Sequence, residues 1–481
     1  MHILTPMLKL GGAMRELYLE YEKNIELFDT ELRVGENFDI LKKVLKVTGG
    51  ELTMYFIDGF VKDTVMQKLM MHFSSQKSLA KNAKEYVESC VPYVEADISG
   101  DFDFMVQMLL SGATVLLGSS FGAQGIIIDS RSYPARDTDE PQGDRVMRGS
   151  RDGFVETLIF NTALIRRRIR DTALTMKYIT VGESSKTDIV VCYMNGKADD
   201  EYVSFIINKI KSLKVRSLTL GAQSLAESLI RTRWYNPFPK IRVTERPDAT
   251  SAHLLEGSVA VIIDNTPEVM ILPSSIFDFM QETNDFYFPP FTSTYIRLLR
   301  YSVFLLTLIV TPLWYLLICY PDLVPEWLSF ILPQNEGRLP IFFQLFLVEF
   351  MIDALRLASM NTPDMLANSL SVVGGLILGD FAVEIGWLIP EVILYMAFVA
   401  IANFTQRSYQ LGYAFKFLRM FLLLVTGIFK LWGFIGGGIV ILLLLVTNKT
   451  VNGKRNYLYP IIPFDAGALK TLLFRVKKKD I

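Results

Sequence analysis

Residues Tyr301 to Pro321 read YSVFLLTLIVTPLWYLLICYP and contain no charged side chain. A helix needs roughly 20 apolar residues to cross a bilayer core, so this stretch predicts a membrane-spanning helix, which Pro312 can kink. The charge density of the chain falls at the same place. Residues 291–450 contain 18 Asp, Glu, Lys and Arg residues in 160 positions, against 72 in residues 1–290. The sequence therefore predicts a solvated amino-terminal region followed by an all-α polytopic membrane domain.

Shorter apolar runs continue through the membrane domain. We expect about six spans, near residues 301–320, 341–359, 366–382, 387–404, 413–429 and 431–447. Arg297 and Arg300 precede the first span, and a basic tail follows residue 453, so the positive-inside rule places both termini in the cytoplasm. Lys430 then lies at an outer turn. Four spans with two re-entrant segments satisfy the same charges and remain an alternative.

The first 290 residues predict a cytoplasmic α/β region. Strand-like runs rich in β-branched and aromatic residues occupy 52–57, 114–117, 125–129, 175–181, 188–193 and 258–263. The clearest helix begins near Asp152 and places Phe154, Leu158, Ile165 and Ile169 on one face. No internal repeat is apparent. The Pro-, Gly- and charge-rich stretch 134–149 predicts a boundary, so we expect two α/β subdomains, 1–145 and 146–290, before a membrane domain, 291–450, and a basic cytoplasmic tail, 451–481.

Composition argues against several classes of function. A net charge of -1 does not suit a nucleic-acid-binding protein, which needs a clustered basic surface. The 3 cysteines and 3 histidines form no metal, disulfide or nucleophile-relay pattern. The glycine-rich stretch from Gly118 to Gly125 lacks the spacing of a phosphate-binding loop and indicates a turn between strands. We therefore expect no enzyme activity and no cofactor or metal.

Charged residues inside the predicted membrane domain are the candidate functional residues. Between Leu339 and Thr405 six acidic residues stand against one basic residue, Arg356, and an acidic interior favours cations. Positions i, i+4 and i+7 share one helix face. The predicted ion pathway consists of Glu349, Asp353, Arg356, Asp380 and Glu384. The alternative is that Asp353 pairs with Arg356 and that Asp364, Asp380 and Glu384 lie at membrane interfaces.

Several segments resemble one family over nearly the whole chain. They include EPQGDRVMRGSRDGF at 140–154, LIRRRI at 164–169 and GSVAVIID at 257–264, which are similar to the A subunits of GerA-type spore germination proteins. Within that family, VGESSKTDI at 181–189, PDLVPE at 321–326 and PEVILY at 390–395 resemble the stage V sporulation protein AF branch more than the nutrient-receptor subunits.

The resemblance implies residence in the inner membrane of a bacterial spore and a role in germination. It implies a homo-oligomer that conducts monovalent cations, with other spore germination membrane proteins as possible partners. The alternative is a subunit that senses a ligand or acts as a scaffold and conducts nothing. Charged residues of the family motif are the candidates for a network between subunits or subdomains, with a solvated helix face as the alternative: Glu140, Asp144, Arg148, Arg151, Glu156, Arg166, Arg167 and Arg168.

Overall fold

The structure is a computed structural model that describes residues 15–76, 78–133, 149–230, 235–334, 337–361, 374–375 and 381–475. Several predictions lie outside these residues. They concern Glu140, Asp144, Arg148, Asp380, the stretch 134–148, most of the predicted third span and Lys477 to Lys479 of the basic tail. The chain divides into two compact units, one of residues 1–231 and 241–273, the other of residues 232–240 and 274–481.

The first unit contains two five-stranded sheets with antiparallel pairing throughout. Sheet one has the order β1-β2-β4-β5-β3. Its strands are β1 Ile40–Val47, β2 Gly50–Ile57, β3 Ala96–Ser99, β4 Thr114–Gly118 and β5 Gly125–Ile128. Its helices are α1 Tyr21–Leu32, α2 Asp63–Ser74, α3 Ala83–Cys90 and α4 Phe102–Leu110. The stretch from Gly118 to Gly125 is the turn between β4 and β5, as predicted.

Sheet two repeats this topology with the order β6-β7-β9-β10-β8. Its strands are β6 Leu174–Val181, β7 Thr187–Met194, β8 Arg242–Thr244, β9 Val259–Ile263 and β10 Val269–Leu272. The helices occupy equivalent places in chain order: α5 Leu158–Arg168, α6 Asp200–Lys211, α7 Gly221–Leu229 and α8 Pro247–Leu255. The two α/β subdomains are therefore confirmed. No repeat is apparent in the sequence, because the repeat lies in the order of the elements and not in recurring residues.

Helix α5 begins later than the sequence predicts. It starts at Leu158 instead of near Asp152, because the chain before it is held extended. The Asn161 side chain accepts a hydrogen bond from the Val155 amide at 2.8 Å and donates one to the Val155 carbonyl at 2.5 Å. Leu158 and Ile165 lie on the buried face of α5, as predicted, whereas Phe154 precedes the helix and Ile169 follows it. All four side chains are buried in the core of subdomain two.

The second unit is helical. Its helices are α9 Asn284–Tyr287, α10 Pro290–Cys319, α11 Ile341–Met360, α12 Pro390–Phe404, α13 Tyr409–Val446 and α14 Ala466–Leu473. Two described helices, α10 and α13, are long and apolar enough to cross a membrane. Helix α11 has 20 residues but carries Glu349, Asp353 and Arg356. The number of spans stays a prediction, since only residues 374–375 and 381–382 of the third predicted span are described.

Helix α13 is a helical hairpin rather than one rod. Lys430 has a non-helical backbone (φ 52°, ψ −126°), which separates residues 409–429 from residues 431–446. A side-chain carbon at Gly433 would meet the Val425 carbonyl oxygen at 2.1 Å, and one at Gly437 would meet Leu422 at 2.7 Å. Only glycine allows this approach, so the two halves pack antiparallel from Lys430 onward.

Candidate functional site

Two acidic and two basic side chains of the helical unit form one charge cluster, which consists of Glu349, Asp353, Lys416 and Arg419. Arg419 Nη2 donates to both carboxylate oxygens of Glu349, at 2.8 and 2.7 Å. Lys416 Nζ lies 3.3 Å from Glu349 Oε1 and hydrogen-bonds Asp353 Oδ2. The formal charges sum to 2 − 2 = 0. The cluster is therefore neutral, which lowers the cost of burying its charges among apolar side chains.

Helix geometry explains how these residues meet. Glu349 and Asp353 are four apart on α11, and Lys416 and Arg419 are three apart on α13, so each pair shares one face of its helix. Glu349 contacts the later base and Asp353 the earlier one, so α11 runs antiparallel to the first half of α13. Arg419 Nη1 also donates to the Thr307 carbonyl of α10 at 3.2 Å. Three helices are thus joined by one guanidinium.

Asp353 differs from Glu349 in its exposure. The side chain of Glu349 is 7% exposed, whereas that of Asp353 is 40% exposed. The Glu349 carboxylate is therefore enclosed by two cationic side chains, while the Asp353 side chain remains partly exposed. The expected acidic stripe is mostly neutralised by α13, and Asp353 is its accessible member.

Arg356 lies in an aromatic cage formed by Phe404, Tyr409 and Tyr413. Its guanidinium carbon is 5.5, 4.9 and 5.4 Å from the respective ring centroids. Each ring face attracts a cation, by about 0.5–2 kcal/mol depending on solvation. The carboxylate of Asp353 pairs with Lys416 of α13 and not with Arg356, so the described helices do not form the alternative pair of Asp353 with Arg356.

A small cavity adjoins the cluster and the cage. Its lining includes Asp353, Lys416, Asn403 and Gln406, so polar atoms from α11, α12 and α13 and from the turn between α12 and α13 reach it. Gln406 is only 8% exposed, and its Nε2 atom has no hydrogen-bond partner among the described residues. A buried amide without a partner costs about 1–3 kcal/mol, so this cavity is suited to a polar occupant.

The predicted pathway residue Glu384 does not lie at this cluster. Glu384 is exposed in a short helical turn, Ala382–Glu384. Ile389, five residues later, donates its amide to Gln344 near the start of α11 at 2.9 Å. Gln344 and Asp353 are nine residues apart, or about 14 Å along a helix, so Glu384 lies toward the other end of the bundle. Asp380 is outside the described residues.

The arginines of the first unit have separate roles. Arg166 has no exposed surface and binds Asp39 of subdomain one through Nε at 2.8 Å and Nη2 at 3.2 Å. It therefore joins the two subdomains and presents no surface to a second chain. Arg167 lies over the Tyr133 ring, 4.5 Å from its centroid, and is exposed. Arg151 and Glu156 are also exposed.

Arg168 holds the start of subdomain two. It donates to Asp152 at 2.7 and 2.6 Å and to Ser150 at 2.9 Å. Partial burial opposes ionisation of Asp152, but the hydrogen bonds from Arg168 and Ser150 outweigh it, so the pKa of this carboxyl lies below its ordinary value. The ion pair fixes the chain that enters α5.

Lys416 and Arg419 are the residues that the sequence analysis did not assign to the site. Two bases three apart in an apolar helix match two acids four apart in an antiparallel one. That spacing is a signal that sequence reasoning can use. It does not by itself say which of several charged helices are neighbours.

Comparisons with known proteins identify relatives over most of the chain. The sequence profile described as Bacillus/Clostridium GerA spore germination protein matches residues 29–481. Stage V sporulation protein AF of Bacillus subtilis (strain 168) is 35% identical over 471 residues, which cover 96% of this chain and 94% of that protein. Spore germination protein A1 of the same organism is 30% identical over 84% of this chain and 83% of its own length.

A comparison with solved structures also finds a match. It is the N-terminal domain of the A subunit of the Bacillus megaterium spore germinant receptor GerK3, with 23% identity and a TM-score of 0.41 over 54% of this chain and 97% of that one. The resemblance stated from the sequence is confirmed by the profile match and the extent of the identity. The chain belongs to the GerA family of spore germination proteins.

Proposed function

We propose that this protein is an oligomeric cation-conducting subunit of the spore inner membrane, which promotes ion release during germination. The observation that carries this proposal is the half-exposed carboxylate of Asp353, which faces a polar cavity inside an otherwise apolar helical bundle. Ionisable residues at membrane depth are costly and typically mark ion or substrate pathways. The GerA family membership supplies the germination context.

The directions of the described helices support six spans. The Phe304 ring of α10 contacts the Phe415 ring, and the Thr307 carbonyl accepts a hydrogen bond from Arg419, so the first half of α13 runs parallel to α10. Helix α11 and the second half of α13 run the opposite way. Helix α12 ends next to Tyr409, at the same end as Arg356, so it too runs opposite to α10.

Helices α11 and α12 thus have the same direction, and the six-span arrangement that we propose has one further crossing between them. Gly374 lies alongside α11, since a side-chain carbon there would meet Leu355 at 2.6 Å. With the proposed crossing, which falls mostly outside the described residues, the number of spans is even. Arg297, Arg300 and Arg407 lie at the end of the bundle where α10 begins, and the positive-inside rule makes that end cytoplasmic. Both termini are cytoplasmic in this arrangement.

Asp353 is the residue that we assign to the cation path, and Glu349 holds the bundle together. This assignment revises the sequence expectation that both carboxylates attract the ion. Copies of the chain around one axis would place one Asp353 per subunit in a ring, and carboxylate rings favour cations in pores. Arg356, in its cage one turn further on, limits how tightly a cation is held.

The test is cation release from liposomes that contain the purified full-length chain. Asp353→Asn removes one charge but keeps the shape, so flux of monovalent cations should fall at equal oligomer yield. Glu326→Gln is the matched control, because Glu326 is an exposed carboxylate in a different segment. Equal flux through both variants would remove Asp353 from the path.

A non-conducting sensing or scaffolding subunit is the second candidate. The neutrality of the charge cluster favours it, because four mutually paired charges can serve only to hold α11 and α13 together. Liposomes that hold assembled wild-type protein and release no cation would support this candidate and overturn the channel.

A further inference from the structure

The ammonium group of Lys416 occupies a position between two carboxylates. It hydrogen-bonds Asp353, lies 3.3 Å from Glu349 and lies 5.9 Å from the Tyr413 ring centroid. Carboxylate oxygens and an aromatic face are the groups that surround small cations in proteins. The lysine head group therefore sits where a free cation would be stabilised.

The two bases of the cluster are held to different degrees. Arg419 makes two bonds to Glu349 and one to the Thr307 carbonyl, so its planar fork is fixed by two helices. Lys416 is bound through a single ammonium on a flexible four-carbon chain. Glu349 keeps its full pair with Arg419 when Lys416 is absent. The lysine is therefore the cation that can leave without breaking the bundle.

Charge arithmetic defines what would replace it. Without Lys416 the cluster has two negative charges and one positive charge, 1 − 2 = −1. One monovalent cation restores neutrality, whereas a divalent cation would leave +1. The unfavourable free energy of an uncompensated charge at membrane depth thus favours a monovalent ion.

The neighbouring cavity provides additional ligands. Asn403, Gln406 and Ser408 line it beside Asp353. The Gln406 amide is more than nine-tenths buried, and its nitrogen has no partner among the described residues. Rotation of an amide by half a turn exchanges its nitrogen and oxygen, so this group can present a carbonyl oxygen to the cavity. An unpartnered buried amide beside an exposed carboxylate is a second indication of a missing polar ligand.

We infer that Asp353, Glu349 and the Gln406 amide form a binding site for a monovalent cation, which the ammonium of Lys416 fills in this conformation. This inference rests on the cation path proposed above and adds its regulation. Lys416 is then a tethered blocking cation. A permeating ion of potassium or ammonium size competes with it for Asp353, and conduction requires the lysine to withdraw.

The first test is chemical rescue of purified full-length Lys416→Ala in detergent. Its thermal midpoint should rise in a saturable manner, by about 2–4 °C, when potassium, rubidium or ammonium chloride replaces N-methylglucamine chloride at equal ionic strength. Wild type and Lys449→Ala should show no such difference, since Lys449 is an exposed lysine outside the cavity. Equal responses of all three proteins would overturn the site.

Lys416→Gln serves as a second variant if the alanine variant folds poorly, because glutamine fills more of the space. Adding Asp353→Asn to it should abolish the cation response, and an unchanged response would overturn the assignment of Asp353 as a ligand. In liposomes Lys416→Gln should conduct several-fold faster than wild type. If cations raise the thermal midpoint of the Lys416 variants but no variant conducts in liposomes, the channel is rejected and the binding site is kept. If wild type conducts but cations do not raise the thermal midpoint of the Lys416 variants, only the binding site is rejected.

Discussion

The guanidinium of Arg419 meets both carboxylate oxygens of Glu349, at 2.8 and 2.7 Å, across a sequence separation of 70 residues. Only 2% of the arginine side chain and 7% of the glutamate side chain are exposed. A charge pair of this kind stabilises little by itself compared with apolar residues of the same size. Removing one partner, in contrast, leaves an uncompensated charge in an apolar bundle. The pair therefore fixes which helices are neighbours.

We expect Glu349→Gln to destabilise the helical unit by about 3–5 kcal/mol, because Arg419 and Lys416 lose the carboxylate that they share. Thermal unfolding in detergent and the yield of folded protein measure the effect. The double variant Glu349→Gln with Arg419→Met should be less destabilised than the sum of the two single variants. Additive effects would show that the two side chains are not coupled.

The buried pair of Arg166 and Asp39 makes a corresponding prediction for the first unit. Arg166→Met should destabilise this unit by about 3–5 kcal/mol, since Asp39 would be left buried without its cation. Amide exchange should rise first at Phe38 and Met176, where the subdomains are joined by a backbone hydrogen bond of 3.2 Å. The exposed neighbour Arg167 gives the control, and Arg167→Met should leave exchange at these amides unchanged.

The lowered pKa of Asp152 predicts that the stability of the fold depends on pH. Its folded pKa is lower than the ordinary value of 3.8, so its ionised form stabilises the fold above that pH and the contribution is lost as pH falls through the folded pKa. Stability of wild type should therefore decrease on acidification below about pH 4.5, and Asp152→Asn should be less stable at pH 7 with a flatter acid limb. Denaturant unfolding at a series of pH values measures both. Parallel curves for the two proteins would contradict the assignment.

Much of the fold could be predicted from local sequence. Strands such as VAVII at 259–263 can be predicted because they are continuous runs of apolar, mostly β-branched residues. Every residue of this strand is buried, so apolar and polar residues do not have to alternate along it. Strand β1, ILKKVLKV, is not predicted, because the spacing of its lysines is also compatible with the polar face of a helix. They lie on an edge strand, where charges protect against unwanted pairing.

The charge cluster could be predicted only in part. The acids of α11 were recognised as unusual because each stands alone in an apolar segment. Their partners lie 63 and 70 residues away, and no local spacing shows that α13 packs against α11. The topological repeat was missed for a similar reason, since it depends on which strands pair and not on which residues recur.

Arg167 makes a prediction about assembly. Because Arg166 is enclosed and Arg168 is paired with Asp152, Arg167 is the arginine of this helix that can meet a second chain. Ile159 and Phe160, in the first turn of the same helix, are also exposed. Arg167→Ser should shift the protein toward smaller species in mild detergent, as measured by light scattering after size-exclusion chromatography. An unchanged oligomer would indicate a solvated helix face.

The final prediction concerns the two halves of α13. Residues 409–429 extend about 31 Å and residues 431–446 about 24 Å, close to the thickness of a bilayer core, so the hairpin is long enough to cross twice. In a variant in which Cys90 and Cys319 are replaced by serine, the remaining Cys192 is buried. Lys430→Cys should then react with an impermeant maleimide from outside intact cells, and Lys449→Cys only after permeabilisation.

Glu384→Cys extends this test to the segment between α11 and α12. We expect it to react from outside, because Glu384 lies toward the end of the bundle where α11 begins. Reaction of the cysteine at position 430 from the cytoplasmic side alone would make the hairpin re-entrant and favour four spans. Reaction of all three positions from the outside would reverse the orientation of the carboxyl terminus, since residue 449 follows the last membrane helix.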